Sequence, residues 1–212
     1  MLSLTALAIC MGMLLPTASA QSPNTGKPPV LLVVGDSLSA EYGLARGTGW
    51  VALLEARLRA QKLPHRVANA SISGETTSGG AQRIDGLIKQ HQPAVVVIEL
   101  GGNDALRGLP LEMTERNLAR MIETSSKAGA KVLLVGMEMP PNYGAAYTQR
   151  FRAMFASLAQ KFKVPLVPFF LAKFGTDLSF FQSDRIHPNE RGQLLMLDTV
   201  WPQLQLLLGA PK

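Results

Sequence analysis

The chain has 212 residues, with 21 lysines and arginines, 15 aspartates and glutamates, one cysteine and a formal net charge of +6. A single cysteine excludes a disulfide framework within the chain, and this length predicts one domain with a sizeable core. The basic residues are scattered and not interleaved with aromatic ones, which excludes a typical nucleic-acid binder and favours a basic surface capable of transient contact with anionic membranes.

The first 20 residues indicate an export signal. They carry no charged side chain, and an apolar core over residues 2–15 is followed by small residues that end at Ala20. A membrane-spanning helix is the alternative, but Gly12 and Pro16 interrupt a run that is already short. We therefore expect cleavage after Ala20 and a periplasmic protein, with secretion as the alternative.

A polar, proline-rich lead-in covers residues 21–29, and strand-like and helix-like segments then alternate. Strands are predicted at 30–34, 66–70, 94–100, 131–137 and 164–168, and helices at 50–61, 77–90, 112–128, 145–162 and 189–208. The strands are near-continuous apolar runs, typical of burial on both faces, and the helices show apolar spacing of three and four. Such alternation predicts right-handed βαβ units. We predict a single α/β domain over 30–212, a flavodoxin-like three-layer α/β/α sandwich with a five-stranded parallel sheet.

The first predicted strand ends in Gly-Asp-Ser-Leu-Ser at residues 35–39. Open α/β sheets bind ligands at the carboxyl ends of their strands, so Ser37 is a candidate nucleophile for acyl transfer. The alternative is that the Ser37 hydroxyl caps a following helix. Asp36 beside it is interpreted as structural.

A histidine near the C-terminus is the candidate general base. A free imidazole exchanges protons near neutral pH, so His187 is of a residue type suited to this role. Asp184 lies three residues earlier, and on a turn of helical type its side chain would fall on the same side as the imidazole and orient it. The alternative is a surface pair that caps a last helix beginning at Pro188. His65 and His91 have no such companion, and we interpret them as structural or exposed.

Two further loops offer donors for an oxyanion. The N–H of Gly74 could approach a reacting carbonyl closely, and the side chain of Asn103 could supply a second directed N–H, with the Ser37 amide as a third. The Gly101-Gly102 pair would let the loop turn inward. The alternative for this segment is a plain tight turn.

Motifs for other chemistry are missing from the sequence. It has no phosphate-binding Walker motif and no Gly-x-Ser-x-Gly elbow, and the near-dinucleotide motif at residues 47–52 does not directly follow a strand. Histidines and glutamates have no metal-ligand spacing.

Taken together, the four loops resemble the SGNH (or GDSL) hydrolase family. The matching blocks are residues 35–39, 73–74, 101–104 and 184–188. Segments 69–74, 100–108, 141–144 and 164–170 are similar, more narrowly, to its periplasmic acyl-CoA thioesterase, lysophospholipase and arylesterase branch. The resemblance implies Ser37 as nucleophile, His187 as base, Asp184 as its orienting acid, and Gly74 with Asn103 in the oxyanion hole. It also implies neither a metal nor an organic cofactor.

The expected activity is hydrolysis of ester or thioester bonds in small molecules with a single acyl chain, through an acyl-serine intermediate. Acyl-CoA thioesters, lysophospholipids and aryl esters fit this description. A shallow crevice is predicted, with walls formed by Leu106, Leu109, Pro140, Pro141 and Tyr143, in a monomer. The alternatives are a carbohydrate or aryl acetylesterase and a non-catalytic anion-binding module; an anion site needs no Asp-His pair.

Overall fold

The structure, a computed structural model, describes residues 26–209, so the predicted export signal lies outside the described residues. The strands are β1 (Val30–Gly35), β2 (Arg66–Asn69), β3 (Val95–Glu99), β4 (Lys131–Val135) and β5 (Leu166–Val167). The helices are α1 (Trp50–Ala60), α2 (Thr77–His91), α3 (Gly102–Leu106), α4 (Leu111–Lys127), α5 (Ala145–Phe162) and α6 (Glu190–Leu208). Two single 3₁₀ turns cover Pro141–Tyr143 and Leu178–Phe180.

The five strands form one parallel sheet in the order β2-β1-β3-β4-β5. Side chains alternate across the strands, so Leu31 and Val33 pack with α1 and α6 on one face. Leu32 and Val34 pack with α2, α4 and α5 on the other face. The predicted three-layer α/β/α sandwich is confirmed, and because all strands are parallel, the segments that follow them leave from one edge of the sheet.

Several predicted boundaries differ from the structure. β2 lies at the edge of the sheet with Arg66 and Asn69 exposed, so burial on both faces is wrong for this strand. β5 is reduced to two residues because Pro165 and Pro168 flank it, and a proline has no N–H to donate to the ladder. A sixth helix, α3, occupies part of the segment predicted as a loop.

Within residues 26–209, none of the helices combines the length and the apolar character that crossing a bilayer would demand.

Two glycines of α2 provide a matched test of the packing between helices and sheet. A Cβ at Gly80 would lie 2.5 Å from Leu100 Cδ1 and 2.9 Å from Met121 Sδ, whereas a Cβ at Gly86 meets open space. We expect Gly80→Ala to lower the free energy of unfolding by about 1–2 kcal/mol, because overpacking outweighs the gain in helix propensity. Gly86→Ala should raise it by about 0.5–1 kcal/mol. Urea unfolding of both variants measures the difference, and equal effects would contradict this packing.

Candidate active site

The loops that follow β1, β2 and β3 and the segment before α6 meet at the carboxyl edge of the sheet. The Oγ atom of Ser37, two residues beyond β1, lies 2.9 Å from Nε2 of His187. The other ring nitrogen, Nδ1, lies 2.6 Å from Oδ2 of Asp184. A hydroxyl, an imidazole and a carboxylate thus form one hydrogen-bonded chain, although Ser37 and His187 are 150 residues apart in sequence.

None of these three residues caps a helix. Turns follow Ser37, and α1 begins only at Trp50, so the capping alternative for the serine is wrong. The last helix begins at Glu190 rather than at Pro188, and its cap is the side chain of Asn189, which accepts the N–H of Arg191 at 3.0 Å. The Ser37 hydroxyl and the Asp184–His187 pair therefore hydrogen-bond with each other instead of capping a helix.

The turn that carries Asp184 and His187 differs from the helical turn expected. Oδ1 of Asp184 accepts the N–H groups of Ile186 and His187 at 2.9 and 3.0 Å, which is an Asx turn, and Arg185 adopts a left-handed φ of 58°. Partial burial raises the pKa of Asp184, but the hydrogen bonds from the His187 ring and from these N–H groups outweigh burial and lower the pKa to about 2. The group beside the imidazole is thus a carboxylate at neutral pH.

Two backbone N–H groups, on the loops after β1 and β2, are candidate donors. Among the described residues, no protein acceptor takes the N–H of Ser37 or that of Gly74. Gly74 has a φ of 77°, a conformation that favours glycine, and its carbonyl accepts a 2.8 Å hydrogen bond from the guanidinium of Arg107. Both N–H groups are consequently available to a ligand oxygen.

The side chain of Asn103 is held by Asp36. Nδ2 of Asn103 donates to Oδ2 of Asp36 at 3.0 Å, which leaves its second N–H free of this bond. Asn103 lies in α3, which follows Gly101 at a φ of 117°. The plain tight turn considered for this segment is therefore wrong.

The next residue anchors this short helix. Asp104 is fully buried, and its carboxylate accepts hydrogen bonds from the N–H and hydroxyl of Thr77 and from the hydroxyl of Thr114. Since Thr77 begins α2 and Thr114 lies in α4, α3 is tied to two long helices. A buried carboxylate thus fixes the position of Asn103.

Two buried carboxyl groups, those of Asp36 and Glu99, lie next to each other beside the serine turn. Asp36 and Glu99 are almost fully buried, and Glu99 accepts hydrogen bonds from the Ser39 hydroxyl at 2.7 Å and from the Asp36 N–H at 3.4 Å. Burial raises the pKa of Asp36 to about 6 despite hydrogen bonds from Leu38 and Asn103. Burial and the adjacent Asp36 raise the pKa of Glu99 well above its ordinary range. Asp36, interpreted from sequence as structural, thus also holds a predicted site residue.

Two residues of the site were not predicted. The ring of Tyr42 lies on the imidazole of His187, with ring centroids 4.3 Å apart. The side chain of Gln182 donates to the carbonyl oxygen of Tyr42 at 2.8 Å. The only local signal was that Tyr42 closely follows the Gly-Asp-Ser turn, and no local pattern pointed to Gln182.

The residues predicted to wall the crevice have different surroundings. Leu106 and Pro140 are exposed, Leu109 is half-buried, Tyr143 packs against the core, and Pro141 belongs to the 3₁₀ turn. An open depression of about 360 Å³ beside this turn is lined by Glu138, Met139, Ala145, Thr148, Gln149 and Arg152. The predicted crevice stays a prediction.

Exposed apolar side chains lie on the segments that form the site. Tyr42, Ile72, Leu106 and Ile186 are between 45% and 52% exposed, and each lies on a segment that carries a site residue. We call these four residues the apolar rim.

Among residues 26–209, no group of three or more histidine, cysteine and acidic side chains is arranged to hold a metal ion.

Known proteins match this chain over most of its length. The model of the GDSL-like Lipase/Acylhydrolase family matches residues 33–195. Esterase TesA of Pseudomonas aeruginosa is 45% identical over 199 residues, 94% of this chain and 96% of that protein. Thioesterase 1/protease 1/lysophospholipase L1 of Escherichia coli is 42% identical over 179 residues, 84% of this chain and 85% of that protein. The crystal structure of the psychrotrophic esterase EstA from Pseudoalteromonas sp., inhibited by monoethylphosphonate, matches with a TM-score of 0.80 and 37% identity, covering 84% of this chain and 98% of that one.

The buried carboxyl pair predicts how stability varies with pH. Asp36 and Glu99 keep their protons in the folded state at pH values where the unfolded chain has lost them. The folded state thus binds more protons, so the free energy of unfolding should fall as pH rises from about 4 through 6 and beyond, by on the order of 2–3 kcal/mol. Glu99→Gln should weaken this fall. Urea unfolding between pH 5 and 8 measures it.

The control for this measurement is Glu115→Gln, at an exposed position of α4, which should leave the pH dependence unchanged. A Glu99→Gln variant whose stability falls with pH as steeply as that of the parent protein would contradict the assignment to the buried pair.

Proposed function

The chain belongs to the GDSL-like lipase/acylhydrolase family, and we propose that within it this carboxylic ester hydrolase uses Ser37 as its nucleophile. The observation that carries the proposal is the hydrogen-bonded chain from Ser37 through His187 to Asp184. A serine hydroxyl is a weak nucleophile until an adjacent base accepts its proton, and Nε2 of His187 is within 2.9 Å of it.

In the proposed mechanism, Ser37 Oγ attacks the carbonyl carbon of an ester or thioester while its proton passes to His187 Nε2. The tetrahedral intermediate collapses as the imidazolium returns that proton to the leaving alcohol or thiol, which leaves an acyl-serine. A water molecule, deprotonated by the same nitrogen, attacks the acyl group and releases the carboxylic acid. The proton then returns to Ser37, and the enzyme is regenerated.

Asp184 supports the charge that forms on the ring. Its carboxylate accepts a hydrogen bond from the Nδ1–H group, which directs Nε2 toward Ser37, and stabilises the imidazolium. The low pKa of Asp184 keeps it ionised throughout the pH range in which a histidine titrates.

Three donors would stabilise the oxyanion: the N–H groups of Ser37 and Gly74 and the remaining side-chain N–H of Asn103. They are held in place before substrate arrives, Gly74 by Arg107 and Asn103 by Asp36. Such preorganised donors stabilise a developing negative charge at no cost of reorganisation during the reaction.

The apolar rim supports a substrate with a single acyl chain. Its four exposed side chains offer apolar surface to an alkyl chain whose carbonyl reaches Ser37. The names of the relatives cover esterase, thioesterase and lysophospholipase, so we propose both oxyesters and thioesters as substrates.

The sequence also supports proposals about the export, the domain organisation and the oligomeric state of the protein. We propose that residues 1–20 are an export signal, that residues 30–212 form one hydrolase domain, and that the mature protein is a periplasmic monomer with transient contact to anionic membranes. The uncharged apolar start and the net charge of +6 support them. The N-terminal sequence and mass of protein recovered from the periplasm test the cleavage and the monomer.

Substitution of the two proposed key groups should affect turnover to different degrees. Ser37→Ala should lower kcat for p-nitrophenyl esters by at least about 10⁴-fold, because no other hydroxyl replaces the nucleophile. Asn103→Ala should lower kcat by about 10²–10³-fold, because one oxyanion donor is lost. Ser157→Ala and Asn142→Ala, at exposed positions, are the matched controls. Full activity of Ser37→Ala would refute the assignment.

A fluorophosphonate probe distinguishes an enzyme from a binding module. We expect covalent labelling of the parent protein and of Ser157→Ala, and no labelling of Ser37→Ala, since phosphonyl reagents capture activated serines. A relative in the same family was crystallised with monoethylphosphonate as inhibitor. Failure to label the parent protein would favour a non-catalytic module.

A series of p-nitrophenyl esters from acetate to decanoate tests the acyl-chain proposal. We expect kcat/KM to rise from acetate to medium chains, because each buried methylene adds favourable apolar burial of about 0.8 kcal/mol at most. A strict preference for acetate would favour an acetylesterase.

A further inference from the structure

An aromatic ring lies against the histidine of the proposed triad. The centroids of the Tyr42 and His187 rings are 4.3 Å apart, and their planes are inclined by 37°. Tyr42 is half exposed, so water reaches its outer side while its inner side covers the imidazole. This contact occupies a side of His187 that neither Ser37 nor Asp184 contacts through its hydrogen bond to a ring nitrogen.

The loop that presents Tyr42 is held by a carboxylate. Glu41 has a left-handed φ of 60°, which is unfavourable for a residue with a side chain. Its carboxylate accepts the N–H of Gly47 through both oxygens at 3.0 Å and the N–H of Gly49 at 2.9 Å. These charge-assisted hydrogen bonds close the loop over residues 41–49 and offset the strain at Glu41.

Gln182 joins this loop to the histidine segment. Its side-chain amide donates to the carbonyl oxygen of Tyr42, and its backbone N–H donates to the carbonyl oxygen of His187, both at 2.8 Å. Gly43 has a φ of 71°, and a Cβ there would overlap Oε1 of Gln182. One residue therefore sets the relative position of the two rings, and the absence of a side chain at Gly43 allows its approach.

Two acidic side chains lie near the imidazole of His187. Asp184 accepts from Nδ1, and Asp36, at the end of β1, is close enough for the charge of His187 to lower the Asp36 pKa. The face of an aromatic ring attracts a cation, with the strongest effect where water is excluded. Tyr42 adds this attraction and also blocks rotation of the imidazole out of line with Ser37.

We propose that Tyr42 is a positioning residue for the proposed reaction: its ring holds the imidazole of His187 in line with Ser37 and stabilises the imidazolium formed in each transition state. This inference rests on the proposed function, since it assigns His187 the role of base. It assigns Tyr42 to the proton-transfer step, not only to the wall that an acyl chain contacts.

The test compares Tyr42→Leu with Tyr42→Phe, because leucine removes the aromatic face while phenylalanine keeps it and removes only the hydroxyl. NMR follows the titration of the His187 ring, identified among the three histidines by its loss in His187→Asn. We expect the midpoint of this titration to fall by about 0.5 pH unit in Tyr42→Leu and to stay unchanged in Tyr42→Phe.

Kinetics with p-nitrophenyl acetate, whose acyl group is too short to reach along the rim, provide the second measurement. We expect Tyr42→Leu to lower kcat about three- to tenfold with little change in KM, and Tyr42→Phe to remain within about twofold of the parent protein. The low-pH limb of the kcat/KM profile should shift in the same direction as the NMR midpoint.

Three results would overturn the inference. The titration midpoint and kcat could be unchanged in Tyr42→Leu, the effect could be confined to KM for long-chain esters, or Tyr42→Phe could lose as much as Tyr42→Leu. Failure of the parent protein to react with fluorophosphonate would refute the proposed function itself. The NMR titration needs no turnover, so it separates this failure from a failure of the ring contact.

Discussion

The burial of β1 between β2 and β3 is the constraint on which the site depends. All six residues of β1 are buried, and parallel pairing on both sides fixes the point at which the strand ends. A shift of one residue would turn each side chain toward the wrong layer, so the register is strongly determined. The position of Ser37, two residues beyond Gly35, is therefore set by the hydrophobic core, and the loops after β2 and β3 leave from the same edge.

The buried carboxyl groups that support the site lower the stability of the folded protein. Glu99 is paired in register with Gly35, and a Cβ at Gly35 would lie 2.7 Å from its carboxylate. Removing Asp36 and Glu99 from water is unfavourable unless they are protonated or hydrogen-bonded. Asp36 accepts a hydrogen bond from the side chain of Asn103, and Asp104 joins the same short helix to Thr77 of α2. Asp36 and Asp104 are thus buried at positions where they orient Asn103, the proposed oxyanion donor.

The sequence predicts the parts of the structure that have long apolar patterns. All five strands and five long helices were predicted, because apolar runs mark most of the strands and apolar residues recur at helical spacing along the long helices. Helix α3 was not, because its five residues, which begin at the second of two glycines, show no apolar period, and its anchor is the contact of Asp104 with Thr77 and Thr114. The roles of Tyr42 and Gln182 were missed for the same reason: their hydrogen bond spans 140 residues and leaves no local pattern.

The hydrogen bond between Ser37 and His187 joins a segment near the start of the described chain to a segment near its end. His187 precedes α6, and α6 packs on α1, which follows the serine loop. Contacts of such large sequence separation form only after the entropy of closing the intervening chain has been overcome. In the proposed mechanism hydrolysis requires this contact, so recovery of hydrolysis during refolding would follow the docking of the last helix rather than the formation of the sheet. The time course of recovered turnover would therefore report the last step of folding, whereas circular dichroism would report the earlier formation of helices and strands.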